Sequence, residues 1–101
     1  MYRIMLACAQ GVSTSLLVTK MQKAARDQGI DAEIWAVDYS SVPDRIGTFD
    51  VLLLGPQVSY AFDEVKEQVG DAAPVALIKQ MDYGRCNGPA VLAYALELLG
   101  A

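Results

Sequence analysis

Apolar and polar residues change period several times along the chain, and each change marks an element. Tyr2 to Ala7 is a short apolar run that reads as a buried strand. Cys8 to Val12 is a loop, and the hydroxyls of Ser13, Thr14 and Ser15 are expected to cap the helix that follows. Leu17, Met21 and Ala24 share one side of that helix and Lys20, Lys23 and Asp27 the other, until Gly29 stops it. Ala32 to Val37 alternates as a second strand, and Ser40 to Ile46 reads as a short, weak helix with Pro43 near its start. Asp50 to Leu54 is apolar on both faces, as a central parallel strand is, and Gly55-Pro56 breaks it. Val58, Ala61, Phe62, Val65 and Val69 recur at helical spacing, with Asp63, Glu64, Lys66 and Glu67 outside. Val75 to Ile78 is a fourth strand, and Lys79 to Asn87 is expected to be a polar loop. Asn87 and Pro89 then open a last helix carrying Val91, Leu92, Ala95, Leu96, Leu98 and Leu99.

Four strand–helix alternations predict a single three-layer α/β domain, a four-stranded parallel sheet with helices on both faces. Ligands of such sheets bind at the carboxyl ends of the strands, near the switch in strand order. Three loops are expected at that edge: Cys8–Val12, Gly55–Ser59 and Lys79–Asn87.

Composition narrows the chemistry. With 101 residues, 53% of them hydrophobic, the chain is one folded domain and not a disordered segment. Its apolar runs are far shorter than the roughly 20 residues of a membrane span. The first residues are too short an apolar stretch for a signal peptide, so the chain is expected to be cytoplasmic; it is also expected to be complete and monomeric. A formal net charge of −4 argues against nucleic acid and against an anionic membrane surface. There is no His, which excludes His metal ligation and Ser-His or Cys-His catalysis within this chain. The two cysteines, Cys8 and Cys86, build neither a zinc site nor a disulfide framework, so no metal and no cofactor are expected.

Cys8 reads either as a buried structural thiol or as a nucleophile. Its neighbours favour the second. Gln10-Gly11 permits a tight turn, and a strand, a glycine-containing loop and a helix N-terminus together form an anion cradle. A thiol at the mouth of that cradle would feel the positive end of the helix dipole, which favours its thiolate.

The segment Cys8-Ala9-Gln10-Gly11-Val12-Ser13-Thr14-Ser15-Leu16-Leu17-Val18 resembles the phosphocysteine loop of the lactose/cellobiose (chitobiose) family of enzyme IIB components. These belong to the bacterial sugar phosphotransferase system (PTS). Leu53-Leu54-Gly55-Pro56-Gln57-Val58-Ser59-Tyr60 resembles that family's second signature, and Asp82-Tyr83-Gly84-Arg85-Cys86-Asn87-Gly88 its third. The resemblance runs from about Tyr2 to Leu99, and residues 1–101 are taken as one such domain. It implies a phosphotransferase in which Cys8 accepts a phosphoryl group from a phosphohistidine of a IIA protein. Cys8 then passes the group to a sugar held by the membrane permease IIC. Ala9, Gln10, Gly11, Val12, Ser13, Thr14 and Ser15 would bind the phosphate, while Gln57, Tyr60 and Tyr83 would line a partner-docking surface. Asp82 and Cys86 depart from the family's usual residues.

Two other classes compete. Small cysteine-dependent phosphatases use C-x5-R, whose Arg clamps the phosphate oxygens. Here the sixth residue after Cys8 is Thr14, and no Arg lies between Arg3 and Arg26. Asp82 would serve that class as a general acid and otherwise reads as a solvated carboxylate. A flavodoxin-like nucleotide or flavin module would seat a phosphate in Gly11 and Ser13–Ser15, with Trp35, Tyr60 or Tyr83 stacked on a ring. Packing in the core or at its rim is the alternative use of each aromatic.

Overall fold

The computed structural model describes residues 1–9 and 12–101, without the side chains of residues 12–14. The sheet contains β1 (Tyr2–Cys8), β2 (Ala32–Asp38), β3 (Val51–Leu54) and β4 (Val75–Leu77). They lie in the order β2-β1-β3-β4, and every pairing is parallel. Helices α1 (Val12–Asp27), α2 (Phe62–Val69), α3 (Gln80–Gly84) and α4 (Gly88–Leu98) connect or follow the strands. Two 3-10 segments, Tyr39–Arg45 and Pro56–Ala61, complete the chain.

Alternation along the two central strands divides the interior into two cores. Ile4 and Leu6 of β1, Leu53 of β3 and Ile34 of β2 face Leu17 and Met21 of α1 and Val91, Leu92 and Ala95 of α4. Met5, Ala7, Leu52 and Leu54 face Val42, Phe49, Val58 and Val65 on the other side. All of β3 is buried, which explains its unbroken apolar run. Each of Leu52, Leu53 and Leu54 contributes about 2 kcal/mol by leaving water.

The ends of the elements show how the chain is held. Gly29 adopts φ +68° after α1, and Ile30 N–H returns to the Ala25 carbonyl at 2.8 Å, the left-handed stop expected of glycine. Asn87 accepts the Ala90 N–H at 3.2 Å and caps α4 as expected. At the amino edge of the sheet Arg3 donates to Asp50 from its backbone N–H at 2.8 Å and from its guanidinium at 2.9 Å. That pair staples the start of β1 to the residue before β3. Gly88 packs directly on α1: a β-carbon there would lie 2.6 Å from the Lys20 carbonyl oxygen.

Three expectations are corrected. Helix α1 begins at Val12, so Ser13, Thr14 and Ser15 stand in its first turn and do not precede it as caps. The polar stretch after β4 contains a short helix, Gln80–Gly84, closed by Arg85 N–H on the Met81 carbonyl at 3.1 Å. The helix expected from Val58 starts only at Phe62, because Pro56 initiates a 3-10 turn that kinks at Val58.

Candidate functional site at the carboxyl edge of the sheet

β1 is followed in space by β2 on one side and β3 on the other, so the strand order switches beside β1. Cys8 is the last residue of β1 and sits at that switch point. The sulfur is fully buried and lies 3.9 Å from the Val37 carbonyl oxygen, a long S–H···O contact. This corrects the expectation of a thiol at the mouth of its cradle. A central strand is walled on both sides, here by Val37 and Asp38 of β2 and by Gly55, whose N–H bonds to the Ala7 carbonyl at 3.0 Å.

α1 starts four residues after Cys8, and the backbone of Val12 to Ser15 forms its first turn. N–H groups in a first turn have no acceptor within their own helix, which places backbone donors from four residues after Cys8 onward. Ala9 is exposed. The placement of Gln10 and Gly11, and of the Val12, Ser13 and Thr14 side chains, lies outside the described residues, as does that part of the expected phosphate-binding set.

The second and third signatures meet. Gln57 Nε2 donates to the Tyr83 hydroxyl at 2.8 Å, tying the turn after β3 to α3. The Gln57 amide folds back over Gly55, and a β-carbon there would displace that side-chain end and with it the bond to Tyr83. Pro56, Gln57, Gln80, Tyr83 and Gly84 line an open recess of about 540 Å³. Tyr60, 74% exposed, turns the other way and meets Tyr39 edge-on, with ring centres 6.1 Å apart and hydroxyls 3.3 Å apart. The Tyr60 hydroxyl, with smaller effects from burial and from the charges of Asp38 and Glu64, holds Tyr39 above the usual phenol range. The expected docking residues therefore divide: Gln57 and Tyr83 act together, whereas Tyr60 pairs with the loop after β2.

That loop was not among the three expected at this edge. Register places Asp38 directly beside Cys8. The Asp38 carboxylate accepts the Ser40 N–H at 3.2 Å and also the Ser40 hydroxyl, and its carbonyl accepts the Ser41 hydroxyl at 2.7 Å. The sequence signal was Asp38-Tyr39-Ser40 closing a strand, a local turn that reads as scaffold until the pairing of β2 with β1 is known. Asp82 is half-buried in the first turn of α3, where its carbonyl accepts the Asn87 N–H at 2.9 Å. Cys86, half-buried, carries φ +50° between α3 and α4. Among the described residues no cluster of three or more His, Cys, Asp or Glu is arranged to hold a metal ion. No helix among them is long and apolar enough to cross a membrane.

The PTS system lactose/cellobiose-specific IIB subunit family matches residues 3–94. The chain belongs to that family. It is 49% identical over 102 aligned positions to the PTS system cellobiose-specific EIIB component of Lactococcus lactis subsp. lactis, covering 95% of this chain and 94% of that one. It is 48% identical, with the same coverage, to the galactose-specific EIIB component of Lactococcus lactis subsp. cremoris. A solution structure of a cellobiose-specific phosphotransferase IIB component from Borrelia burgdorferi superposes with TM-score 0.82 at 33% identity, over 98% of this chain and 92% of that one. A longer protein, the lactose-specific EIICB component of Lactococcus lactis subsp. lactis, matches at 29% identity over 75% of this chain and 13% of its own length. The fold expected for the family is the fold observed, and the chain is a IIB component of a sugar phosphotransferase system.

Proposed function

We propose that this protein is a phosphoryl carrier whose carrying atom is the Cys8 sulfur. The observation that supports it most directly is the position of Cys8: last in the central strand, at the switch point, and four residues ahead of the first turn of α1. The thiolate attacks the phosphorus of a phosphohistidine on IIA. The P–N bond breaks, its electron pair returns to the imidazole, and an S–P bond forms. In the second step a sugar hydroxyl oxygen at IIC attacks the same phosphorus. The S–P pair returns to sulfur, and the hydroxyl proton leaves to solvent or a base on the permease. Catalysis of such transfers is mostly positioning and charge stabilisation. The N–H groups from Ala9 to Ser15, with the hydroxyls of Ser13 and Thr14, hold the phosphoryl group. Gln57, Tyr83 and Tyr60 form the docking rim.

The IIC assignment draws support from the related chain whose name joins a C and a B component. The sugar is selected outside this domain: relatives named for cellobiose and for galactose are 49% and 48% identical to it. Intact-mass measurement after incubation with a histidine-phosphorylated lactose/cellobiose-type IIA protein tests the proposal. One phosphoryl group is expected, mapped to Cys8, absent in Cys8→Ser and retained in Cys86→Ser. A phosphoryl group on Cys86, Ser13 or Thr14 would overturn the assignment.

A further inference from the structure

The loop after β2 gives the phosphoryl site a neighbour of its own sign. Cys8 and Asp38 are register partners on adjacent strands, so their α-carbons are about 4.8 Å apart. Side chains of register partners share a face. Ile4 and Leu6 precede Cys8 on the α1 side of the sheet, and Ile34 and Ala36 precede Asp38 on that same side. Asp38 is exposed, and Ser40 holds its carboxylate through both its N–H and its hydroxyl. Such a held, ionised carboxylate is a fixed charge at the end of the strand.

We propose that Asp38 tunes the carrier: its charge repels the phosphoryl group on Cys8 and so raises the group's tendency to leave for the next acceptor. It touches no reacting atom and acts through the field at the phosphocysteine. A phosphomonoester carries close to two negative charges at neutral pH. Across roughly 8 Å in a largely aqueous medium, one further negative charge shifts the phosphorylation equilibrium by about twofold at 0.15 M ionic strength and about fourfold at 0.01 M. The shift bears on both steps. Charging of Cys8 from IIA becomes less complete, and discharge to sugar becomes more favourable by the same factor. A carrier that must both accept and release gains from a site that holds its cargo loosely.

The inference rests on Cys8 being the phosphorylated residue, and one experiment separates the two. A histidine-phosphorylated lactose/cellobiose-type IIA protein is brought to equilibrium with this chain, and intact mass reads the ratio of phosphocysteine to phosphohistidine. Asn at 38 keeps an oxygen for the Ser40 N–H and hydroxyl and removes the charge. At 0.01 M ionic strength Asp38→Asn is expected to raise the ratio about fourfold, and Asp38→Glu to leave it near wild type. The difference between Asn and Asp is expected to shrink below twofold in 1 M salt, where the screening length falls to about 3 Å. Asp38→Ser, which can also cap the turn, serves as a second neutral variant should Asp38→Asn fold poorly. An unchanged or lowered ratio in a folded neutral variant, with Cys8 phosphorylated in both proteins, overturns the tuning role and leaves the carrier intact. No phosphorylation of Cys8 in the wild-type chain overturns both.

Discussion

Replacing Gly88 with alanine sets two physical effects against each other, and the structure decides the sign. Gly88 is the first residue of α4 and is buried. Its φ is not left-handed, so alanine meets no backbone obstacle there. Helix propensity alone would favour alanine by up to about 1 kcal/mol. The space does not allow it. The new methyl carbon would stand 2.6 Å from the Lys20 carbonyl oxygen and 2.7 Å from the Lys20 β-carbon. Unstrained carbon contacts lie at about 3.5–4.0 Å. The obstacles are backbone and the root of a side chain in the middle of α1, so no rotamer change relieves them. The helices must separate by about 1 Å, loosening the packing of Val91 and Leu92 against Leu17 and Met21. Overpacking of this kind costs about 1–3 kcal/mol. Net of propensity, Gly88→Ala is expected to destabilise by about 1–2 kcal/mol, a fall in Tm of roughly 5–15 °C for a domain of this size. Circular dichroism at 222 nm during heating reads it. Gly84→Ala is the control: Gly84 ends α3, and a β-carbon there meets nothing within 4 Å. It should leave Tm unchanged or raise it slightly. A Gly88→Ala protein as stable as wild type would refute the argument, since it would mean α4 can shift freely on α1.

Two further predictions concern polar pairs at opposite edges of the sheet. The Arg3 guanidinium and backbone N–H hold the Asp50 carboxyl below its usual range; a depressed folded value means the stabilisation is full above the unfolded carboxylate range, near pH 4, and is lost as pH falls through the folded value. Asp50→Asn should therefore flatten the acid limb of the urea midpoint against pH, and identical limbs in the two proteins would exclude this pair as its source. At the carboxyl edge, Gln57→Ala and Tyr83→Phe should be non-additive, with a coupling of about 0.5–1 kcal/mol in a double-mutant cycle from urea unfolding; additive effects would mean the 2.8 Å bond contributes nothing in solution.

How much of this was legible in the chain follows from which physics is local. Period and burial agree wherever an element faces a core: Leu17, Met21 and Ala24 are inside and Lys20, Lys23 and Asp27 outside. Asp63, Glu64 and Glu67 of α2 are solvated as expected. The caps at Asn87 and Gly29 were equally readable, because each acts on its own neighbours, whereas Ser13 to Ser15, expected as caps, fall inside the first turn of α1. α3 was missed because Gln80–Gly84 is too short to show a period and buries none of its residues. The burial of Cys8 and its pairing with Asp38 were missed for a different reason. Both depend on which strands flank β1, and a β2-β1-β3 order is not written in any one segment. The same holds for Gln57 and Tyr83, which stand 26 residues apart and were each readable only as a docking candidate.

On the carrier reading, the absent arginine and the present aspartate bear on one question: why phosphocysteine should wait for an acceptor. Hydrolysis needs stabilisation of charge spreading over the phosphoryl oxygens while water attacks, and the loop from Ala9 to Ser15 contains neither Arg nor Lys. Arg3, the nearest preceding in sequence, is engaged with Asp50 at the far edge of the sheet. Backbone amides at the start of α1 can hold a dianion in its ground state without offering a bidentate clamp to the transition state. On the carrier reading, restraint toward water comes from what the loop lacks and readiness toward a docked acceptor from the charge of Asp38. A phosphoryl group can then be held long enough to meet the permease and loosely enough to leave for a sugar hydroxyl.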